Sequence, residues 1–195
     1  MLACRCMDMS TPAWVRLDDD DPMLGGYESL EKPSDWTFAI GQRKPLSEVY
    51  NEAFGLFQDA DWIGFLADDV VPETRNFDRL LIEAAGKDGL AFGDDGINGD
   101  ARAPHFVLGG NLVRSVGFLS LLGLKRLYVD TFWSDVARAR GVRRYLPNVK
   151  LTHLHFSNRK ALMDSIYRKP GKIEDMMIYE KWLKDFNATN RKETP

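Results

Sequence analysis

A chain of 195 residues that is 44% hydrophobic and 28% charged has the size and composition of one globular domain with a sizeable core, which excludes wholesale disorder. No apolar run approaches the roughly 20 residues a membrane helix needs, and the opening MLACRCMDMS lacks the basic-then-apolar order of a signal peptide, so the expectation is a cytoplasmic protein without a membrane span. The net charge of -3 hides a segregation, because residues 17–100 hold 20 acidic against 6 basic residues while residues 138–172 hold ten basic and one acidic. Either the first part gathers cations and the second faces an anion, such as a nucleotide phosphate, a nucleic acid or an anionic glycan, or both charge runs lie on solvated faces.

In chain order, Cys4 and Cys6 come first, too few for a disulfide framework or a structural zinc site, and they read as incidental. Residues 13–17 (AWVRL) form a strand signal that ends in Asp18, Asp19, Asp20 and Asp21 before Pro22. Carboxylates in that turn either accept hydrogen bonds from a ribose or base edge or decorate an exposed Asp-Pro turn. A second short strand at 37–40 (TFAI) precedes a helix over 45–57, where Leu46, Val49, Tyr50, Ala53, Phe54 and Phe57 fall at helical spacing and Pro45 suits the first turn.

Residues 62–67 (WIGFLA) read as a strand running straight into Asp68 and Asp69. Adjacent carboxylates repel one another unless a cation or a proton is shared, and magnesium or manganese prefers a few carboxylate oxygens completed by water and substrate phosphates. The alternative is helix capping, with Pro72 close behind. A helix over 77–85 and a strand at 90–92 lead to a third acidic turn, Gly93-Asp94-Asp95-Gly96, with the same ambiguity.

Further helices are expected at 112–116, 131–139 and 175–186, with an alternating strand at 150–155. Asp130 stands just before the aromatic helix and Asp135 about one turn along it, so Asp130 either caps that helix or takes a proton from an acceptor hydroxyl. His153 and His155 share one face of the 150–155 strand, where both imidazoles can reach a metal or a pyrophosphate or serve a structural role. The pattern predicts an α/β sheet covered on both faces, in one domain over 1–185 with a flexible tail over 186–195. Ligands in such sheets sit at the carboxyl ends of strands, where the acidic clusters fall.

Taken together, RLDDDDP, IGQRKPLSEVYNEAF, DWIGFLADDVVPET, FGDDGI, YVDTFWSDVARARGVRRYLPNVKLTHLHF and DSIY, over residues 14–167, resemble the short glycosyltransferases of the family 2 superfamily common in bacteriophage genomes. The resemblance implies a GT-A fold with a mostly parallel sheet, a nucleoside-diphosphate sugar donor (a UDP-sugar first), and manganese or magnesium. It places Asp69 as the last carboxylate of the metal motif with Asp68 beside it on the donor, Asp18, Asp19, Asp20, Arg43, Asp94 and Asp95 around the donor nucleotide, Asp130 as the base with Asp135 as its fallback, and His153 or His155 within reach of the metal or diphosphate. The family's first β-strand has no counterpart here, which implies either a late start or a pocket completed by another segment or by a second copy of the chain in a homo-oligomer.

The implied reaction is direct displacement at the anomeric carbon, inverting its configuration, in the host cytoplasm if the gene is a phage's. The basic residues Arg138, Arg140, Arg143, Arg144, Lys150, Arg159 and Lys160 fit an anionic acceptor, including hydroxymethylated pyrimidines of DNA flipped towards Phe132, Trp133 and Tyr167, beside cell-surface glycans and small molecules. Two rivals are a non-catalytic sugar-nucleotide or nucleic-acid binding protein and a metal-dependent nucleotidyltransferase, the latter without an evident Gly-rich phosphate loop.

Overall fold

A computed structural model of the chain describes residues 11–161 and 172–190. Cys4, Cys6 and the DSIY segment with Tyr167 lie outside the described residues. The elements run β1 (Ala13–Asp18), α1 (Leu24–Glu28), β2 (Trp36–Gly41), α2 (Leu46–Phe57), β3 (Trp62–Gly64), β4 (Val70–Pro72), α3 (Phe77–Ala85), β5 (Leu90–Asp94), β6 (Phe106–Gly109), α4 (Gly110–Val116), α5 (Val129–Ala139), β7 (Arg143–His153) and α6 (Lys172–Asn190).

Alternation along the two central strands divides the interior. Leu90, Phe92, Phe106 and Leu108 enter one buried cluster, while Ala91 and Val107 enter the other, as a period of two requires. Helices α2, α4, α5 and α6 cover the first face and α3 the second. In α5 the buried residues Val129, Phe132, Trp133, Val136 and Ala137 recur at the three-and-four spacing of an amphipathic helix. Trp133 is fully buried, and its indole N–H donates to the Leu119 carbonyl at 2.8 Å, so the largest side chain enters the core with its polar atom satisfied. The result is a single α/β domain with helices on both faces, as the spacing predicts.

The sheet corrects the expectation of mostly parallel strands. Five strands pair in the order β3-β6-β5-β7-β4, and only β5–β7 is parallel among them; β1 and β2 form a separate parallel pair. Residues 95–105, between β5 and β6, hold only the 3-10 turn Gly99–Ala101, too short for the crossover helix that a parallel pairing needs, so β6 returns antiparallel. Among the described residues no strand joins the β1–β2 pair to the edge strand β3.

Two boundaries also move. The strand expected over 62–67 stops at Gly64, and Asp68 and Asp69 occupy a tight turn into β4, so no helix starts there for either to cap. Helix α6 continues to Asn190 through the expected tail boundary, because Phe186 stacks on Trp182 with ring centroids 4.8 Å apart and both pack on the core.

Candidate functional site

Acidic turns follow β1, β3 and β5, and side chains join the first of them to the end of β2 and to the β3–β4 turn. Arg43, just beyond β2, contacts Asp18 at 3.0 Å and grips Asp20 through Nε at 3.1 Å and Nη2 at 2.9 Å, so the two parallel strands are clamped at their ends. Asp19 donates its backbone N–H to the Gly41 carbonyl at 2.9 Å and leaves its side chain exposed. Tyr27 of α1 donates its hydroxyl to Asp68 at 3.3 Å, which links this clamp to the β3–β4 turn.

Asp68 and Asp69 do not converge. Asp68 is exposed on the Tyr27 side, whereas Asp69 turns inward and its Oδ2 lies 3.0 Å from His153 Nε2 at the end of β7. The backbone fixes this pairing, because Leu154 N–H donates to the Asp69 carbonyl at 2.7 Å and His153 N–H to the Asp95 carbonyl at 3.1 Å. Burial pushes the Asp69 carboxyl up, but the His153 hydrogen bond and charge outweigh it and hold the group below its ordinary value. The same hydrogen bond raises His153 against its own burial.

The sequence reading overlooked His105. It stands in the bend before β6, 5% exposed, with its ring edge-on to His153 at a centroid distance of 5.0 Å. His155 has its ring centroid 5.1 Å from that of His153, with its Nδ1 2.8 Å from Ser157 Oγ. The chain has 3 histidines, and all of them meet here. That scarcity was a usable signal, but His105 precedes an apolar run and carries no motif of its own. Burial pushes it down to about 4, so it is neutral at physiological pH, and His155 is lowered by burial and by the neighbouring His153.

Other expected site residues are engaged elsewhere. Asp95 is 2% exposed and accepts from the backbone N–H of Ile97 at 2.9 Å and of Asn98 at 2.7 Å on one oxygen and from the Asn98 side chain on the other, an internal staple of the turn with no oxygen left for a nucleotide. Asp94 pairs with Lys150 and accepts from Gly96 N–H at 3.0 Å, a pairing that the bulge at Gly93 produces. The register steps from Gly93 opposite Leu146 to Asp94 opposite Lys150, past Pro147, and a Cβ on Gly93 would lie 2.4 Å from the Val149 carbonyl oxygen.

Asp135 accepts from Tyr179 of α6 and pairs with Arg138, so it fastens two helices. Asp130 lies in the first turn of α5, half-exposed, and its charge is felt at Tyr50, whose ring meets Phe65 at 4.2 Å; Phe65 in turn meets Phe106, the neighbour of His105, at 5.0 Å. Along the basic segment, Arg138, Arg143 and Lys150 pair with Asp135, Asp100 and Asp94, and Arg140 and Arg144 bond Ser115 and backbone carbonyls. Phe132 and Trp133 are buried in the core and cannot receive a flipped base.

No known family model matches the chain, and no curated protein sequence matches it. No helix among the described residues is long and apolar enough to cross a membrane. No three His, Cys, Asp or Glu side chains among the described residues stand grouped as a ready-made metal cage. Asp69 Oδ1 and His153 Nδ1 are nevertheless both buried without a hydrogen-bond partner, a cost that native proteins rarely carry without a ligand or water to meet it. A carboxylate and an imidazole in that condition fit a divalent ion whose remaining positions come from water and substrate phosphates.

Proposed function

We propose that the chain is a metal-dependent glycosyltransferase of GT-A type, similar to the short family 2 enzymes, which moves a sugar from a nucleoside-diphosphate sugar to an acceptor hydroxyl. The observation that carries this reading is Asp69, turned inward on His153 with its second oxygen buried and unpartnered, at the place the resemblance gives to the metal motif. Asp69 and His153 would hold manganese or magnesium, with His155 and Asp68 flanking them. The ion, when bound, neutralises the diphosphate leaving group.

The protein's own part is positioning and proton transfer. The Asp18–Arg43–Asp20 clamp offers a rigid, hydrogen-bonding edge at the ends of two parallel strands, where this reading places the nucleoside. Asp130 presents a half-exposed carboxylate from the start of α5 and takes the acceptor proton as the new bond forms on the face opposite the departing diphosphate, which inverts the anomeric centre. The acceptor class favoured is a glycan or small-molecule hydroxyl over a flipped DNA base, because Phe132 and Trp133 are buried in the core, while Arg138, Arg143 and Lys150 are held in ion pairs.

A nucleoside-diphosphate release assay over a panel of sugar-nucleotides with manganese tests the reading. Metal-dependent release is expected from the wild type, with a loss of at least about 100-fold in Asp69→Ala. Absence of release from every donor in folded protein would favour a binding protein, and release of pyrophosphate instead would favour a nucleotidyltransferase.

A further inference from the structure

The helices that cover the first face of the sheet meet around an open groove of about 220 Å3. It runs between the end of α4 at Ser115, the side of α5 with its capping residue Arg140, and Trp182 and Phe186 of α6. One wall is a chain of aromatic rings. Phe118 stacks on Phe132 at a centroid distance of 5.6 Å, Phe132 meets Trp182 edge-on at 4.7 Å, and Trp182 stacks on Phe186 at 4.8 Å. Phe132 is buried, whereas Phe118, Trp182 and Phe186 are half-buried and keep ring surface towards the groove.

The rim carries a cation without a counterion. Arg140 is exposed, donates through Nη1 to Ser115 Oγ at 2.6 Å, and forms no ion pair among the described residues. Its neighbour Arg138 is paired with Asp135, and both line a second groove on which Phe186 also borders, so that one is neutralised from within. The carbonyls at the end of α5 explain why a guanidinium is tolerated at this position, but they leave most of its N–H fork open.

A wall of rings beside an open guanidinium matches one ligand chemistry. Aromatic side chains stack on, or meet edge-on, a flat apolar body, and the planar fork takes a carboxylate or similar oxyanion through parallel N–H bonds. A cavity of about 150 Å3 admits benzene, so this groove suits one ring or a fused pair. We infer that the groove binds a small aromatic anion, with its ring on Trp182 and Phe186 and its acidic group on Arg140. The inference is independent of the glycosyltransferase reading, since no residue given a part in that reaction lines the groove.

Fluorescence titration of the full-length protein with anilinonaphthalene sulfonate, followed by displacement of the dye with naphthoate and with its uncharged analogue naphthol, tests this. Arg140→Gln removes the charge and keeps a donor for Ser115, while Arg144→Gln removes the same charge from a residue outside the groove that bonds only backbone carbonyls. Wild type is expected to bind the dye at a single site and to prefer naphthoate to naphthol by about tenfold or more. Arg140→Gln should weaken dye and naphthoate roughly 10-fold and erase that preference, and Arg144→Gln should change neither by more than about twofold. Equal dye affinity in wild type and Arg140→Gln, or naphthol as effective as naphthoate, would overturn the pairing with Arg140. Equal weakening in both variants would reduce it to general surface charge, and absence of dye binding by folded wild type would overturn the site itself.

Discussion

Asp175 is buried and Asp69 half-buried with one oxygen out of reach of water, and they differ in what their oxygens do. Asp175, at the start of α6, is fully buried and spends both oxygens on backbone, accepting from Lys125 N–H at 2.8 Å on one and from Arg126 and Leu127 N–H at 2.9 and 2.8 Å on the other. Asp95 is saturated in the same way within its own turn. Asp69 has one oxygen on His153 and one with no partner. Saturation, more than burial or local charge, separates a carboxylate that builds the fold from one with an oxygen to spare, because an unused buried acceptor is a standing cost.

The largest effect should come from breaking the saturated member. Asp175→Ala leaves three amides that held α6 against the loop before α5 without their acceptor, at an expected cost of about 3–5 kcal/mol. Urea unfolding measures it, and Asp175→Asn, which keeps one accepting oxygen, should lose less. A cost below about 1 kcal/mol for Asp175→Ala would show that saturation is not what fastens this helix.

His105 supplies the next test, in metal-free protein. Burial first, and the charge of His153 second, put its folded value at about 4, below the ordinary 6.5. The unfolded chain therefore takes up a proton near 6.5 that the folded chain refuses until about 4, so stability is fully present above 6.5 and falls as the pH drops through that window, by on the order of 3 kcal/mol. His153 acts in the opposite sense, since its raised value contributes stability below the ordinary His range that is lost as the pH rises through the folded one. Unfolding free energies at pH 7 and pH 5 should differ less in His105→Phe than in wild type, and an unchanged difference would place the acid sensitivity elsewhere.

The fold was legible where periodicity was strong. Phe77, Leu81 and Ala85 bury one stripe of α3, whose limits match the expected 77–85, and the buried stripe of α5 carries the helix expected at 131–139 back to Val129. Strand direction was not legible, since β4 and β6 are only three and four residues long and their pairing depends on connection length more than on any residue pattern. For the site, the resemblance put Asp69 on an ion with His153 or His155 within reach, and the structure pairs Asp69 with His153 across 84 positions; Asp68, Asp94, Asp95 and Asp135, given other roles at the site, have other partners. All are Asp near strand ends or helix starts; what sorts them is whether Tyr27, Lys150, a turn or Tyr179 reaches them first. His105 was invisible because nothing local marks a buried imidazole.

Asp135 and Asp130 carry a smaller contrast, five residues apart on one helix. Asp135→Asn weakens the bond from Tyr179 and the Arg138 pair and should cost about 1–2 kcal/mol while leaving donor turnover within about threefold, since its partners are a residue of α6 and one of α5 itself. Asp130→Asn should change stability by under about 0.5 kcal/mol and reduce transfer to acceptor by roughly 100-fold or more. Paired unfolding and transfer assays on the two variants decide which carboxylate is the base, and the reverse pattern would reassign it to Asp135.

A small change in stability is also expected at the residue on which the functional reading depends most. Asp69 and His153 have side chains 33% and 18% exposed, so solvent screens their attraction, and the unpartnered oxygen subtracts from whatever the pair contributes. Asp69→Asn keeps the shape and an oxygen for His153, removes the charge, and should move the unfolding free energy by less than about 1 kcal/mol, in either direction, while abolishing metal-dependent release. A protein that sets aside a buried acceptor for a ligand loses little by neutralising it. A loss above about 2 kcal/mol in metal-free Asp69→Asn would place Asp69 with Asp175 and Asp95 among the carboxylates that hold the fold, and the contrast between open and saturated oxygens would fail at its central case.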